Sequence, residues 1–201
     1  MSDDINKMRA SLKISSTGYW ESDIKLYHVR CEPLCDWIID FLKDEKHVPL
    51  YDFGCGNGHY LKKISENGFL NLTGFEGKIP KYKQFDNIIE QDLSKSFKVK
   101  TPGNCIFLEV AEHIPEQFEN IMIDNVVNAC NNKLIMSWAV RGQGGDGHIN
   151  CLDNHEVVNR FSKRGMTYLE KETNEVRSSI PNDNPYYWFK NTTLIFRKEK
   201  I

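Results

Sequence analysis

The chain of 201 residues lacks several things that would settle a class at once. It has no apolar run long enough to span a bilayer and no hydrophobic leader after Met1-Ser2-Asp3-Asp4, so a cytoplasmic protein without a membrane partner is expected. Its six cysteines, Cys31, Cys35, Cys55, Cys105, Cys130 and Cys151, show no paired C-x-x-C spacing, which argues against a zinc ribbon or a disulfide framework. Neither charge sign prevails. Lys and Arg total 26 against 28 Asp and Glu, for a net charge of −2, and the lysines are scattered. The basic stripe of a nucleic-acid binder is therefore missing, and a small-molecule acceptor is expected in preference to a polyanion. Repeats and low-complexity stretches are absent, and the length suits one substantial core: a single domain over 1–201, with 1–45 as an N-terminal lid and helix and 46–201 as the core.

What is present is an alternation of strand-like and helix-like segments. Apolar residues from Asp23 to Leu42 suit an amphipathic helix interrupted near Pro33. Strands are expected at about Val48–Phe53, Leu70–Phe75, Asp86–Glu90, Cys105–Glu109 and Leu134–Ala139. Helices are expected at about Gly58–Asn67, from Phe118 to Cys130, and from Asp153 or Asn154 to Lys163, where Gly165 stops the last. Met166–Leu169 and Thr192–Phe196 read as two late strands around a polar loop, Ser178 to Tyr187. This order predicts an α/β fold with a parallel sheet, helices on both faces and an antiparallel edge.

The most informative stretch is Leu50-Tyr51-Asp52-Phe53-Gly54-Cys55-Gly56-Asn57-Gly58-His59-Tyr60, a buried strand, a glycine-rich turn and a helix start. Gly54, Gly56 and Gly58 let the backbone curl and approach a ligand without Cβ interference. Glu76 ends the next apolar run, roughly the twenty residues downstream at which an acid meets a ribose hydroxyl in nucleotide-binding βαβ units. The spacing is not the G-x-G-x-x-G of dinucleotide enzymes, and no P-loop lysine follows. An adenosine-containing ligand without a pyrophosphate fits this pattern.

Asp52 to Gly58 resembles motif I of the class I S-adenosylmethionine-dependent methyltransferases. Glu76 falls where that family places its ribose-gripping acid, Glu90-Gln91-Asp92-Leu93 resembles its adenine-binding motif, and Leu108 to Pro115 resembles the segment after strand four. Met136 to Asn150, with Gly-Gln-Gly-Gly-x-x-His, is similar to a little-characterised subgroup that shares a Gly-Tyr-Trp-like start and a Phe-Lys-Asn-Thr-like last strand. Tyr19-Trp20 and Phe189-Lys190-Asn191-Thr192 match both, so the resemblance covers nearly the whole chain. It implies a Rossmann-like three-layer sandwich, a seven-stranded mostly parallel sheet with an antiparallel last strand, and S-adenosyl-L-methionine as cofactor.

The same resemblance implies cofactor contacts from Asp52, Gly54, Gly56, Gly58, Glu76, Asp92, Leu93 and Glu109. Asp52 is open to a second reading as a capping acid for the loop. Methyl transfer needs an aligned nucleophile, and a hydroxyl also gains from proton removal, which makes His113 and His148 the candidate catalytic bases. Glu109-x-x-Glu112-His113 with a distant His148 also resembles the ligand set of RNA 3′-terminal 2′-O-methyltransferases, so a divalent metal on Glu109, Glu112, His113 and His148 is a variant. Trp20, Gln143 and Tyr187 are expected to touch the acceptor, with Tyr19, Tyr186 and Trp188 beside them, and His28 and Arg30 are further lid candidates. The expected acceptor is small and polar, a hydroxyl of a saccharide or nucleotide-linked precursor. RNA, a protein acceptor, or a non-catalytic scaffold are the alternatives.

Overall fold

The computed structural model describes residues 12–22 and 30–199, so the proposed lid residue His28 lies outside the described residues. Seven strands form one sheet: β1 (Leu50–Phe53), β2 (Leu72–Glu76), β3 (Ile88–Glu90), β4 (Gly103–Phe107), β5 (Cys130–Ser137), β6 (Met166–Tyr168) and β7 (Thr193–Lys198). Their spatial order is β3-β2-β1-β4-β5-β7-β6. The strands β1 to β5 pair in parallel, while β7 runs antiparallel to both β5 and β6. The expected architecture is therefore present, including the antiparallel last strand.

Alternation along the central strands divides the apolar residues between two cores. Cys105 and Phe107, Leu134 and Met136, and Leu194 and Phe196 join one cluster, whereas Ile106, Ile135 and Ile195 join the other. Period-two side chains produce this split, because both faces of a parallel sheet are covered. The first face is covered by α3 (Glu119–Ala129) and α4 (Asn154–Ser162), through Met122, Ile123, Val126, Val157 and Phe161. On the second face lie α1 (Glu32–Phe41), α2 (His59–Glu66) and α5 (Glu170–Ser179), through Leu34, Ile38, Leu61, Ile64 and Val176.

The structure corrects three sequence expectations. Pro33 stands in the first turn of α1 and starts that helix, where its missing N–H costs nothing. α5 was unassigned because it is nearly all polar; Thr173 and Val176 are its buried residues. Phe189–Thr192, expected within the last strand, instead forms α6, a single helical turn, and β7 begins at Thr193. Asp153 does cap α4, in a capping box with Glu156.

At the amino ends of the strands Glu45 ties several elements together. Its Oε2 accepts hydrogen bonds from Asn104 Nδ2 at 2.7 Å and Asn132 Nδ2 at 2.8 Å, while Oε1 lies 2.7 Å from Lys133 Nζ. Asn104 is buried, so removing the acceptor leaves an amide donor without a partner. Glu45→Ala should therefore lower unfolding free energy by about 1–3 kcal/mol, measured by urea denaturation, with activity at the opposite end of the sheet unaffected.

Candidate active site

The carboxyl ends of β1, β2 and β4 open onto a cavity of about 350 Å³. Three carboxyl groups at strand ends line it, those of Asp52, Glu76 and Glu109, and Glu112 follows in the turn after β4. Asp52 sits within β1 and is buried. Burial first, and the nearby Glu76 second, push its pKa up to about 8.

Glu76 ends β2 and reaches across to the β1 loop. Its Oε2 accepts from the Gly56 N–H at 2.7 Å and its Oε1 from the Gly77 N–H at 3.0 Å. Burial raises its pKa, and those two N–H groups oppose the rise. The loop can offer Gly56 N–H inward because Gly54, Gly56 and Gly58 take φ of 73°, 55° and 78°, a left-handed conformation open to glycine. Gly54 and Gly56 line the cavity; Gly58 is instead packed against Phe85.

Asp92 and Leu93 follow β3 and line the same cavity. Asp92 Oδ1 accepts from the Ser94 N–H at 2.9 Å, and its Oδ2 from the Thr17 hydroxyl at 3.1 Å. Thr17 belongs to an N-terminal strap, 12–22, in which Ile14 and Trp20 form an antiparallel bridge. Gly18 packs on the His113 carbonyl, Tyr19 packs on Gly77, and Lys78 Nζ holds the Glu21 carbonyl at 2.5 Å. Trp20 meets the His113 ring edge-on, with centroids 5.5 Å apart. The strap therefore covers the cavity. Arg30 is exposed and does not line it.

Glu109 carries the one positive φ of a non-glycine residue among the described residues, 55°. Backbone in this region is strained for a side-chain-bearing residue and needs support. Ser137 supplies it: its Oγ accepts from the Glu109 N–H at 2.8 Å and donates to Glu109 Oε1 at 2.8 Å. Burial lifts the Glu109 pKa to about 7, offset in part by Ser137 and Trp188. Ser137 was not foreseen, since it is simply the polar end of an apolar strand.

The short 3-10 turn Ala111–His113 places Glu112 beneath the glycine-rich loop. The Glu112 carbonyl accepts from the N–H groups of Ile149 and Asn150 at 2.9 and 3.0 Å. Trp138 donates its indole N–H to the Asn150 carbonyl at 2.5 Å, and Asn150 Nδ2 reaches Glu119, itself paired with Arg160. These bonds pin the far end of the loop. Within it, the Gly147 carbonyl faces His113 Nδ1 at 3.2 Å and the Gln143 carbonyl faces His148 Nδ1 at 3.3 Å. A carbonyl can only accept, so each neutral ring carries its proton on Nδ1 and has an Nε2 lone pair. A side chain at Gly145 would collide with the His148 ring, which accounts for glycine there.

His148 Nε2 lies 3.9 Å from Glu112 Oε1, and the two imidazoles meet edge-to-face at 5.1 Å. Burial, then the neighbouring His148, depresses the His113 pKa to about 4; burial also lowers that of His148. The Glu112 carboxyl is fully buried and neither oxygen has a hydrogen-bond partner among the described residues. Its pKa is raised strongly by burial and next by Glu109.

Among the residues expected to touch an acceptor, Trp20 and Gln143 line the cavity. Tyr187 is exposed and off the wall; Trp188, beside it, lines the cavity instead.

No family model matches the chain, and no curated protein sequence does. Solved structures do. The magnesium protoporphyrin IX methyltransferase of Synechocystis, with bound SAM, superposes with a TM-score of 0.59 at 15% identity, covering 82% of this chain and 78% of that one. A Burkholderia thailandensis 1,6-didemethyltoxoflavin-N1-methyltransferase gives 0.62 at 10% identity, covering 85% and 78%. The methyltransferase domain of bacterial CtHen1-C gives 0.59 at 16% identity, covering 85% and all 100% of that chain. The fold of this chain is that of the class I S-adenosylmethionine-dependent methyltransferases.

Proposed function

We propose that the chain is an S-adenosylmethionine-dependent methyltransferase acting on a hydroxyl of a small polar acceptor, such as a saccharide or nucleotide-linked precursor. The observation that carries this reading is the Glu76 carboxylate bonded to the glycine loop at the edge of an acid-lined cavity. Acidic lining complements the sulfonium and ammonium charges of that cofactor, and the left-handed backbone at Gly54 and Gly56 shapes the loop at the cavity wall, with Val110 filling the space beside Gly54. When bound, the cofactor supplies an activated methyl group.

Each residue then has a task set by its surroundings. Asp52, its pKa raised by burial, becomes a charged partner once an ammonium stands beside it. The Glu76 oxygens each retain a lone pair beyond the one used on the loop, which suits two ribose hydroxyls. Asp92 and the Leu93 backbone stand at the adenine end, and Glu109 beside the reacting region. His113 and His148, uncharged with Nε2 lone pairs, are suited to take a proton from a hydroxyl. Trp20, Gln143 and Trp188 wall the acceptor side.

One observation favours a second reading with a divalent ion. Glu112, His113 and His148 each place a ligand atom within 4.8 Å of the others, and neither Glu112 carboxyl oxygen has a hydrogen-bond partner among the described residues. Two imidazole nitrogens and a carboxylate suit zinc, manganese or iron, which would polarise the acceptor hydroxyl. Glu109, tied to Ser137, stands outside this set.

Calorimetric titration with S-adenosylmethionine should show binding, and Glu76→Ala should weaken it by at least about tenfold; no binding by the folded wild type would sink the cofactor reading. A mass-shift screen of sugar, nucleotide, amine, peptide and RNA acceptors with labelled cofactor should return a hydroxyl acceptor. On it, His113→Ala and His148→Ala should cut turnover while cofactor affinity holds, and loss of activity with a chelator would select the metal-assisted form.

Asp52 yields a pH prediction. Its folded pKa, about 8, is above the 3.8 of a free carboxyl, so the native state holds the extra proton between those values. Stability is therefore lost as pH rises through about 8. Between about pH 6.5 and 8.5 Glu109, its pKa raised to about 7, adds a fall of the same sign, while His113, depressed to about 4, adds a rise that ends as the unfolded imidazole loses its proton above about 7. The urea midpoint of the wild type should fall from about pH 7.5 to 8.5, and Asp52→Asn should lessen that fall.

A further inference from the structure

The cavity is lined by Asp52, Glu76, Asp92, Glu109 and Asp146, a set that repels anions. S-adenosylmethionine, on whose binding this inference rests, nevertheless carries a carboxylate on its amino-acid end. Among the described lining residues, the side chains able to hold positive charge are His59, Lys78, His113 and His148. Lys78 is engaged by the Glu21 carbonyl, and both His113 and His148 are kept neutral by burial with Nδ1 bound to the loop.

His59 differs from the other three. It opens α2 directly after the glycine loop, and its Nε2 lies 2.6 Å from Glu32 Oε1. The second Glu32 oxygen accepts from Lys63 Nζ at 2.7 Å, and Lys63 also pairs with Asp36 Oδ1 at 2.6 Å. Two residues of α1 and one of α2 thus brace the ring at the cavity wall. Nδ1 is left without a hydrogen bond among the described residues. Glu32 engages the ring through Nε2, so Nδ1 is the ring nitrogen left for a ligand.

We infer that His59, braced by Glu32, is a cofactor-binding residue whose Nδ1–H donates to the methionine carboxylate of S-adenosylmethionine. The cofactor's anionic group is thereby held by a ring that Glu32 braces, and the carboxyl groups of the floor are left for its ammonium and ribose. A bracket that merely joined α1 to α2 would affect all ligands alike.

The test uses a probe differing by that one group. Wild type, His59→Phe and Glu32→Gln are titrated calorimetrically with S-adenosylmethionine and with decarboxylated S-adenosylmethionine, which keeps the sulfonium and the amine. His59→Phe should bind S-adenosylmethionine about tenfold more weakly with the decarboxylated ligand unchanged, the unchanged binding also showing that the variant folds. Glu32→Gln should shift in the same direction by less. Equal losses for both ligands, or no loss for either, overturn the assignment while leaving the cofactor reading in place. A wild type that binds neither ligand removes both.

Discussion

The site depends on keeping carboxyl groups where the parallel strands end. Asp52 and Glu112 are buried, Glu76 and Glu109 partly so, and a carboxylate taken from water must find donors or hold a proton. The chain uses a different device for each. Glu76 takes two backbone N–H groups, Glu109 takes the Ser137 hydroxyl, and burial raises the pKa of Asp52 to about 8. Glu112 has no hydrogen-bond donor among the described residues, and it is the group that two histidines lie beside.

The glycine loop and the later glycine-rich loop serve different ends. The first, Gly54 to Gly58, turns the Gly56 N–H toward Glu76, which fixes the shape of the loop. The second lends carbonyls: Gln143 and Gly147 set the protonated nitrogen of His148 and His113. Its own position depends on Trp138, Asn150, Glu119 and Arg160, a chain of bonds running from β5 to α3 and α4. Packing of the first face of the sheet is thus coupled to the orientation of both imidazoles.

Much of the fold was legible in the chain because strands buried on both faces read as continuous apolar runs, as at Cys105–Phe107 and Leu134–Met136. α5 was not, since a helix that buries little leaves almost no period to detect. α6 was not, because Phe189–Thr192 is short and its conformation is set by the turn that feeds β7. Within the site, Glu76 and the three glycines were visible from spacing, whereas Ser137, Thr17 and the Glu32–His59 pair join residues 27 to 75 positions apart and carry no local signature.

The sequence by itself determined the alternation of strands and helices and the glycine-rich loop after the first strand, since both follow from local periodicity and glycine chemistry. Only the tertiary structure decided which acids have raised pKa values, which nitrogen of His113 and of His148 faces a loop carbonyl, and that Ser137 holds Glu109. Those properties depend on desolvation and on partners from distant strands, and neither is encoded in neighbouring residues.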